Sequence, residues 1–165
     1  MANVGSSTPI HPAVKIGHVH LKVSDLDRAL GFWRDILGFE VMQTRPGAVF
    51  LSAGGYHHHI ALNTWESAGG PQPPRNATGL FHVAVLFPSR AALAGALKRV
   101  LDAGLSLDGA SDHGVSEALY LRDFDGNGVE LYVDRPKAEW PLDAEGKLSM
   151  STRRLDVDKL LAEAA

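Results

Sequence analysis

Apolar and polar positions alternate in two short stretches of the chain, and a helical pattern follows each. In Ile16-Gly-His-Val-His-Leu-Lys-Val23, Val19, Leu21 and Val23 fall on one face and His18, His20 and Lys22 on the other. That period marks a half-buried strand. Ser24 then stands as a suitable N-cap, with Asp25 and Asp27 at the positive end of a helix. Leu26, Ala29, Leu30, Trp33, Ile36 and Leu37 recur at helical spacing until Gly38 stops the run. Short strands are predicted near residues 39–43, 48–51 and 58–63. Residues 66–79 hold three glycines and three prolines and read as a linker. The first pattern then returns. Leu80–Phe87 alternates, and Pro88-Ser89 opens a helix with Leu93, Leu97, Val100 and Leu101 on one face, closed by Gly104. Strands near 118–121 and 128–133 flank the turn Asp125-Gly-Asn-Gly128. A last helix is predicted at about 155–164.

The recurrence is an internal repeat. His18 and His82 lie 64 residues apart, and Val19/Val83, Leu21/Val85 and Leu37/Leu101 keep the same offset. Near the end of each half, Ile60-Ala-Leu62 mirrors Val129-Glu-Leu131. The expected organisation is a leader (1–14), a first unit (15–65), the linker (66–79), a second unit (80–136) and a C-terminal extension with a short helix (137–165). Each unit reads as strand–helix–three strands. The fold class is therefore α+β: two tandem βαβββ modules closing a half-barrel sheet around a cleft. Pseudo-symmetry places four side chains inward, His18, Ala61, His82 and Glu130. Two imidazoles and one carboxylate are the donor set of non-haem Fe(II) sites that keep coordination positions open. A carboxylate flanked by Val129, Leu131 and Tyr132 is costly to bury without a cation or a donor.

Composition narrows the function classes. The 165 residues are 45% hydrophobic and 21% charged, which suits a folded domain with its own core. No cysteine is present, so disulfides, thiolate metal sites and thiol nucleophiles are excluded, and a cytoplasmic location is expected. Sixteen basic and 19 acidic residues give a net charge of −3, without the basic field of a nucleic-acid binder. No apolar run approaches the length of a membrane span. Eight histidines are about twice the usual share for this length.

Several long motifs occur in order along residues 15–141. They are Ile16-Gly-His-Val-His-Leu-Lys-Val-Ser-Asp-Leu26, Phe32-Trp-Arg-Asp-Ile-Leu-Gly-Phe39, Gly55-Tyr-His-His-His-Ile-Ala-Leu-Asn-Thr-Trp65, Ser111-Asp-His-Gly-Val-Ser-Glu-Ala-Leu-Tyr120, Asp125-Gly-Asn-Gly-Val-Glu-Leu-Tyr132 and Asp134-Arg-Pro136. Through them the chain resembles the vicinal oxygen chelate superfamily, and within it the small extradiol, catechol 2,3-dioxygenase-like branch. The resemblance implies a fold of the glyoxalase, bleomycin-resistance and dihydroxybiphenyl-dioxygenase type. It implies that His18, His82 and Glu130 hold a metal, Fe(II) first and Mn(II) by overlap of ligand preference. It implies that Tyr120 hydrogen-bonds the bound catecholate, that His58 is an acid/base outside the ligand set, and that His113 is a further active-site histidine. Strand alternation alone would put His57 and His59, not His58, on the side of Ala61, with His59 the substitute for His58. Phe124 replaces the proline usual before Asp-Gly-Asn, a change expected to alter the turn and not the metal. Ala61 stands where glyoxalase-type members place a fourth carboxylate ligand.

The implied activity is insertion of both atoms of O2 into an aromatic diol. The partners implied are that diol, O2 and further copies of the chain in a homo-oligomer, with no nucleic acid and no membrane. Two rivals share the scaffold: a metal-dependent lyase or isomerase, and a protein that sequesters a small molecule.

Overall fold

The computed structural model describes residues 8–164, so the first part of the predicted leader, residues 1–7, lies outside the described residues. The first unit runs β1 (Val19–Lys22), α1 (Leu26–Leu30), β2 (Glu40–Arg45), β3 (Ala48–Ser52) and β4 (Ile60–Asn63). The second runs β5 (Val83–Leu86), α2 (Arg90–Asp102), β6 (Gly109–Asp112), β7 (Ser116–Arg122) and β8 (Gly128–Asp134). A two-residue strand, β9 (Arg153–Arg154), and a short helix, α3 (Val157–Leu161), follow. The strands form a four-stranded sheet in the order β1-β4-β3-β2 and a five-stranded sheet in the order β5-β8-β7-β6-β9. The α+β reading with its repeated strand–helix–three-strand unit holds.

The repeat is kept down to the register. β1 pairs parallel with β4, Val19 opposite Ile60 and His20 opposite Ala61. β5 pairs parallel with β8, Val83 opposite Val129 and Ala84 opposite Glu130. Ala61 and Glu130 therefore hold equivalent places.

Helix α1 departs from the expectation at both ends. Its N-cap is Asp25, not Ser24: the Asp25 carboxylate accepts the Arg28 N–H at 2.7 Å. Ser24 is engaged elsewhere, its N–H on Asp125 at 3.0 Å. After Leu30 the helix widens into a π-helical stretch, Gly31–Ile36. There the consecutive Phe32 and Trp33 are both fully buried. Burying two such rings is worth roughly 1.5–3 kcal/mol each. Phe124 packs edge-on against Phe32 with ring centroids 5.8 Å apart. The chain then leaves the helix through Gly38, whose φ of 89° is a left-handed stop that a glycine adopts freely.

The two units share one core. Leu21, Trp33, Leu51 and Leu62 of the first join Leu93, Leu97, Leu119 and Leu131 of the second in a single buried cluster. Arg99 of α2 caps the end of the first helix, its guanidinium donating to the carbonyls of Ile36 at 2.9 Å and Leu37 at 3.2 Å. The β7–β8 turn is held from the other side. Arg28 meets Asp125 at 2.6 Å, and the Trp33 indole N–H reaches Asp123 at 3.4 Å. Burial pushes the Asp123 carboxyl up, against the donors of Asn127, Asp125 and Trp33.

The C-terminal extension holds more than the expected short helix. It forms a hairpin closed by Asp143, whose carboxylate accepts the N–H groups of Glu145 and Lys147 at 3.0 and 2.8 Å. It then adds β9 to the edge of β6 and ends in α3, shorter than the predicted 155–164.

Candidate active site

Both histidines of the repeat sit just ahead of a strand, His18 before β1 and His82 before β5. The strands predicted as 16–23 and 80–87 are shorter than the alternation suggested. Two contacts fix these entry points. In the first unit the Val19 N–H donates to His59 O at 3.0 Å. In the second, Gly128 allows close approach: a Cβ there would collide with the Phe81 carbonyl and meet His82 Cβ at 3.1 Å. A side chain at position 128 would push His82 away from β8, which carries Glu130.

The second unit assembles four of the predicted site residues into one chain. His82 Nε2 lies 2.8 Å from Glu130 Oε2. The Tyr120 hydroxyl lies 3.3 Å from Glu130 Oε1 and 2.7 Å from His113 Nε2. His113 Nδ1 lies 2.9 Å from the Ser151 carbonyl. Burial, with the Glu130 charge adding to it, raises the Tyr120 phenol to about 12, so it stays protonated at neutral pH. His82 Nδ1 is buried and has no hydrogen-bond partner among the described residues, so the polar engagement of this ring is through Nε2 alone.

The first unit supplies imidazoles and no carboxylate. The ring of His18 lies 4.2 Å from that of His58, and His57 Nδ1 lies 2.8 Å from His58 Nδ1. Burial, then the neighbouring His18 and His57, push the His58 imidazole below its usual value, which keeps it neutral. His59 is engaged structurally: its Nδ1 accepts the Ala53 N–H at 3.3 Å and sits 3.2 Å from the Ser52 hydroxyl. His58 is therefore the member of the run that stands beside His18, while His59 clips the approach to β4. His20 is held by Asn63, 2.9 Å from its Nε2. Ala61 is fully buried.

His18 and His82 line a common cleft of about 660 Å³, with Ile16, Phe39, Leu80 and Leu86 among its apolar walls. His82 and Tyr120 also line a smaller opening of about 280 Å³ beside Gly128. Among the described residues no three His, Asp or Glu side chains already form a metal-holding group. Two of the three predicted ligands touch, and the third faces the same cleft. The donor set nonetheless fits a divalent cation. The 2.8 Å between His82 Nε2 and Glu130 Oε2 is close to the ~3 Å that separates two donors bonded at ~2.1 Å and at right angles.

Residues 15–131 match the family described as the Glyoxalase/Bleomycin resistance protein/Dioxygenase superfamily. The chain belongs to this superfamily. It is 41% identical over 157 residues to catechol-2,3-dioxygenase of Bacillus subtilis (strain 168), covering 95% of this chain and 54% of that protein. It is 32% identical over 120 residues to biphenyl-2,3-diol 1,2-dioxygenase 3 of Rhodococcus globerulus, covering 73% of this chain and 63% of that protein. The chain thus spans between half and two thirds of the length of these relatives. A crystal structure of a glyoxalase/dioxygenase from Nostoc punctiforme superposes with a TM-score of 0.64 at 16% identity, over 81% of this chain and all of that one. That likeness speaks for the fold alone. Among the described residues no helix is long and apolar enough to cross a membrane.

Two contributors escaped the sequence reading. Ser151 acts through its main chain, and Gly128 through the absence of a side chain. The first leaves no signal in residue type. The second was visible only as a turn glycine.

Proposed function

We propose that the chain is an extradiol ring-cleaving dioxygenase acting on a catechol-type diol, with His18, His82 and Glu130 holding Fe(II). Similarity to catechol- and biphenyl-diol dioxygenases supports this reading. One observation of structure carries it: His82, Glu130, Tyr120 and His113 form a continuous chain of polar contacts that meets the cleft at His82. When bound, the ion supplies the Lewis acidity and electron transfer that ring cleavage needs.

The chain's own residues do the rest. The apolar walls of Ile16, Phe39, Leu80 and Leu86 take the aromatic ring and exclude water from it. Among the described residues no Lys or Arg lines that cleft, which suits an uncharged diol. Tyr120, protonated, turns its hydroxyl to His113 in the free protein and swings that proton to a substrate oxygen arriving near Glu130. His58, kept neutral beside His18, serves as the base that takes a proton from the diol and returns it later, with His59 of the cleft wall as its substitute. His113 holds the far side of the Tyr120 hydroxyl. Ala61, at the place equivalent to Glu130, brings no fourth protein ligand, which leaves coordination room for a bidentate diol and O2.

The test is anaerobic loading with Fe(II), addition of a panel of catechols, then air. The expected result is a yellow ring-fission chromophore with one O2 consumed per diol. Turnover of a thiol adduct without O2 uptake would instead identify a lyase, and tight binding of a planar compound without turnover a sequestering protein.

A further inference from the structure

We propose that the C-terminal hairpin is a positioning element for the active site: the Ser151 carbonyl fixes the tautomer of His113 and thereby directs the Tyr120 proton away from Glu130. The functional meaning rests on the dioxygenase reading, whereas the tautomer itself does not.

A main-chain carbonyl can only accept. His113 Nδ1 at 2.9 Å from Ser151 O must therefore carry the proton. The contact is reinforced by its reciprocal, the Ser151 N–H donating to His113 O at 3.1 Å. In the neutral ring Nε2 is then a bare acceptor. The Tyr120 oxygen lies 2.7 Å from that acceptor and 3.3 Å from Glu130 Oε1, and the phenol has one proton to give. It goes to His113. Glu130 Oε1 is left without a proton competing for its lone pair, and the carboxylate is free for a cation. With the opposite tautomer, Nε2–H would donate to the Tyr120 oxygen, and the phenol proton would turn onto Glu130.

The hairpin is built to hold this contact. Ser149 N–H donates to Pro141 O at 2.9 Å, and Leu142 bridges Leu148. The fold seats on Gly114, whose φ is 77° and where a Cβ would press on Pro141 Cγ at 3.0 Å. Beyond Ser151 the chain is fixed by β9, with Arg153 opposite Asp112 and Arg154 opposite Ser111. Both sides of Ser151 are thus tied to the strand and turn that carry His113.

Side-chain nitrogen NMR on the full, metal-free chain reads the tautomer directly, with His113→Gln identifying the signal. The expected result is neutral His113 protonated on Nδ1; protonation on Nε2, or an even mixture, would overturn the proposal. Ser151→Pro removes the reciprocal N–H bond, and Asp143→Ala loosens the hairpin turn without touching Ser151. In either variant His113 should shift toward a tautomer mixture, and affinity for Fe(II) or Mn(II) should fall about tenfold. Adding Tyr120→Phe to either should restore that affinity, since it deletes the competing proton. A loss of affinity that Tyr120→Phe leaves unrepaired would mean a merely structural role and would sink the idea. A correct tautomer and this rescue in a chain without ring-cleaving activity would retire the dioxygenase reading and leave the positioning role standing.

Discussion

The two halves of the cleft share one backbone plan and differ in chemistry. β1 against β4 and β5 against β8 pair in the same register, yet Ala61 stands where Glu130 stands. On the second side, Glu130 is met by His82 and Tyr120, and Tyr120 by His113. On the first, His18, His57 and His58 lean on one another, with His18 and His57 exposed. The duplication therefore supplied positions, and only one copy was filled with an ordered acid–phenol–imidazole chain. Order placed ahead of binding lowers the cost of taking a ligand, so the second half should dominate metal capture while the first completes it.

The largest effect expected from this contrast is in metal retention. His82→Ala should lower metal affinity by more than ~100-fold, beyond the usual cost of losing a residue that merely supports a ligand. His18→Ala should be about tenfold less damaging. Chelator competition and metal content per chain read both, with thermal unfolding showing that the fold survives. Equal losses would dissolve the distinction between the halves.

Ala61→Glu makes the halves alike and sharpens the comparison from the other side. A carboxylate at this fully buried place should cost about 2–3 kcal/mol of stability without metal. Mn(II) should return much of that stability, while turnover falls because a fourth ligand fills the room left for substrate. Unfolding midpoints with and without metal decide it, and a variant that metal fails to rescue would show that position 61 does not face the ion.

The smallest effect tests how far the order of the second half extends, into the turn that carries His113. Burial opposes ionisation of Asp112, but the Gly114 N–H and Arg135 outweigh it and hold its carboxyl below the usual range. Asp112 accepts the Gly114 N–H at 2.8 Å and meets Arg135 at 2.8 Å. A carboxyl depressed in the folded state stabilises above its unfolded value and loses that contribution as pH falls through its folded value. Wild-type stability should therefore drop more steeply below about pH 4 than that of Asp112→Asn. Identical acid limbs in equilibrium unfolding would mean the turn is not held by this charge.

Much of the fold was legible because alternation and helical spacing repeat, and because His18 and His82 keep one offset. The rest was hidden for specific reasons. β6, Gly-Ala-Ser-Asp from 109 to 112, carries no alternating apolar residues, so nothing in its residue types marks it as a strand. β9 is two arginines whose pairing depends on an edge built by residues far upstream. The π-helical stretch at Gly31–Ile36 keeps the apolar period of an ordinary helix closely enough to pass for one. Among the site residues, side chains with unusual chemistry stood out, and the His113 partner did not. It is a carbonyl 38 residues away, and every residue type carries one. The His57–His59 run stayed ambiguous because β4 begins only at Ile60, so strand parity does not reach back to it.

Arg28, Trp33 and Ser24 all grip the Asp123–Asp125 turn that leads into the strand bearing Glu130. The placement of the acid in one half is thus written partly in the helix of the other. A gene cut within the linker and expressed as two fragments should yield a second fragment that folds poorly or mislays its carboxylate. Duplication made the halves similar; this grip has since made them inseparable.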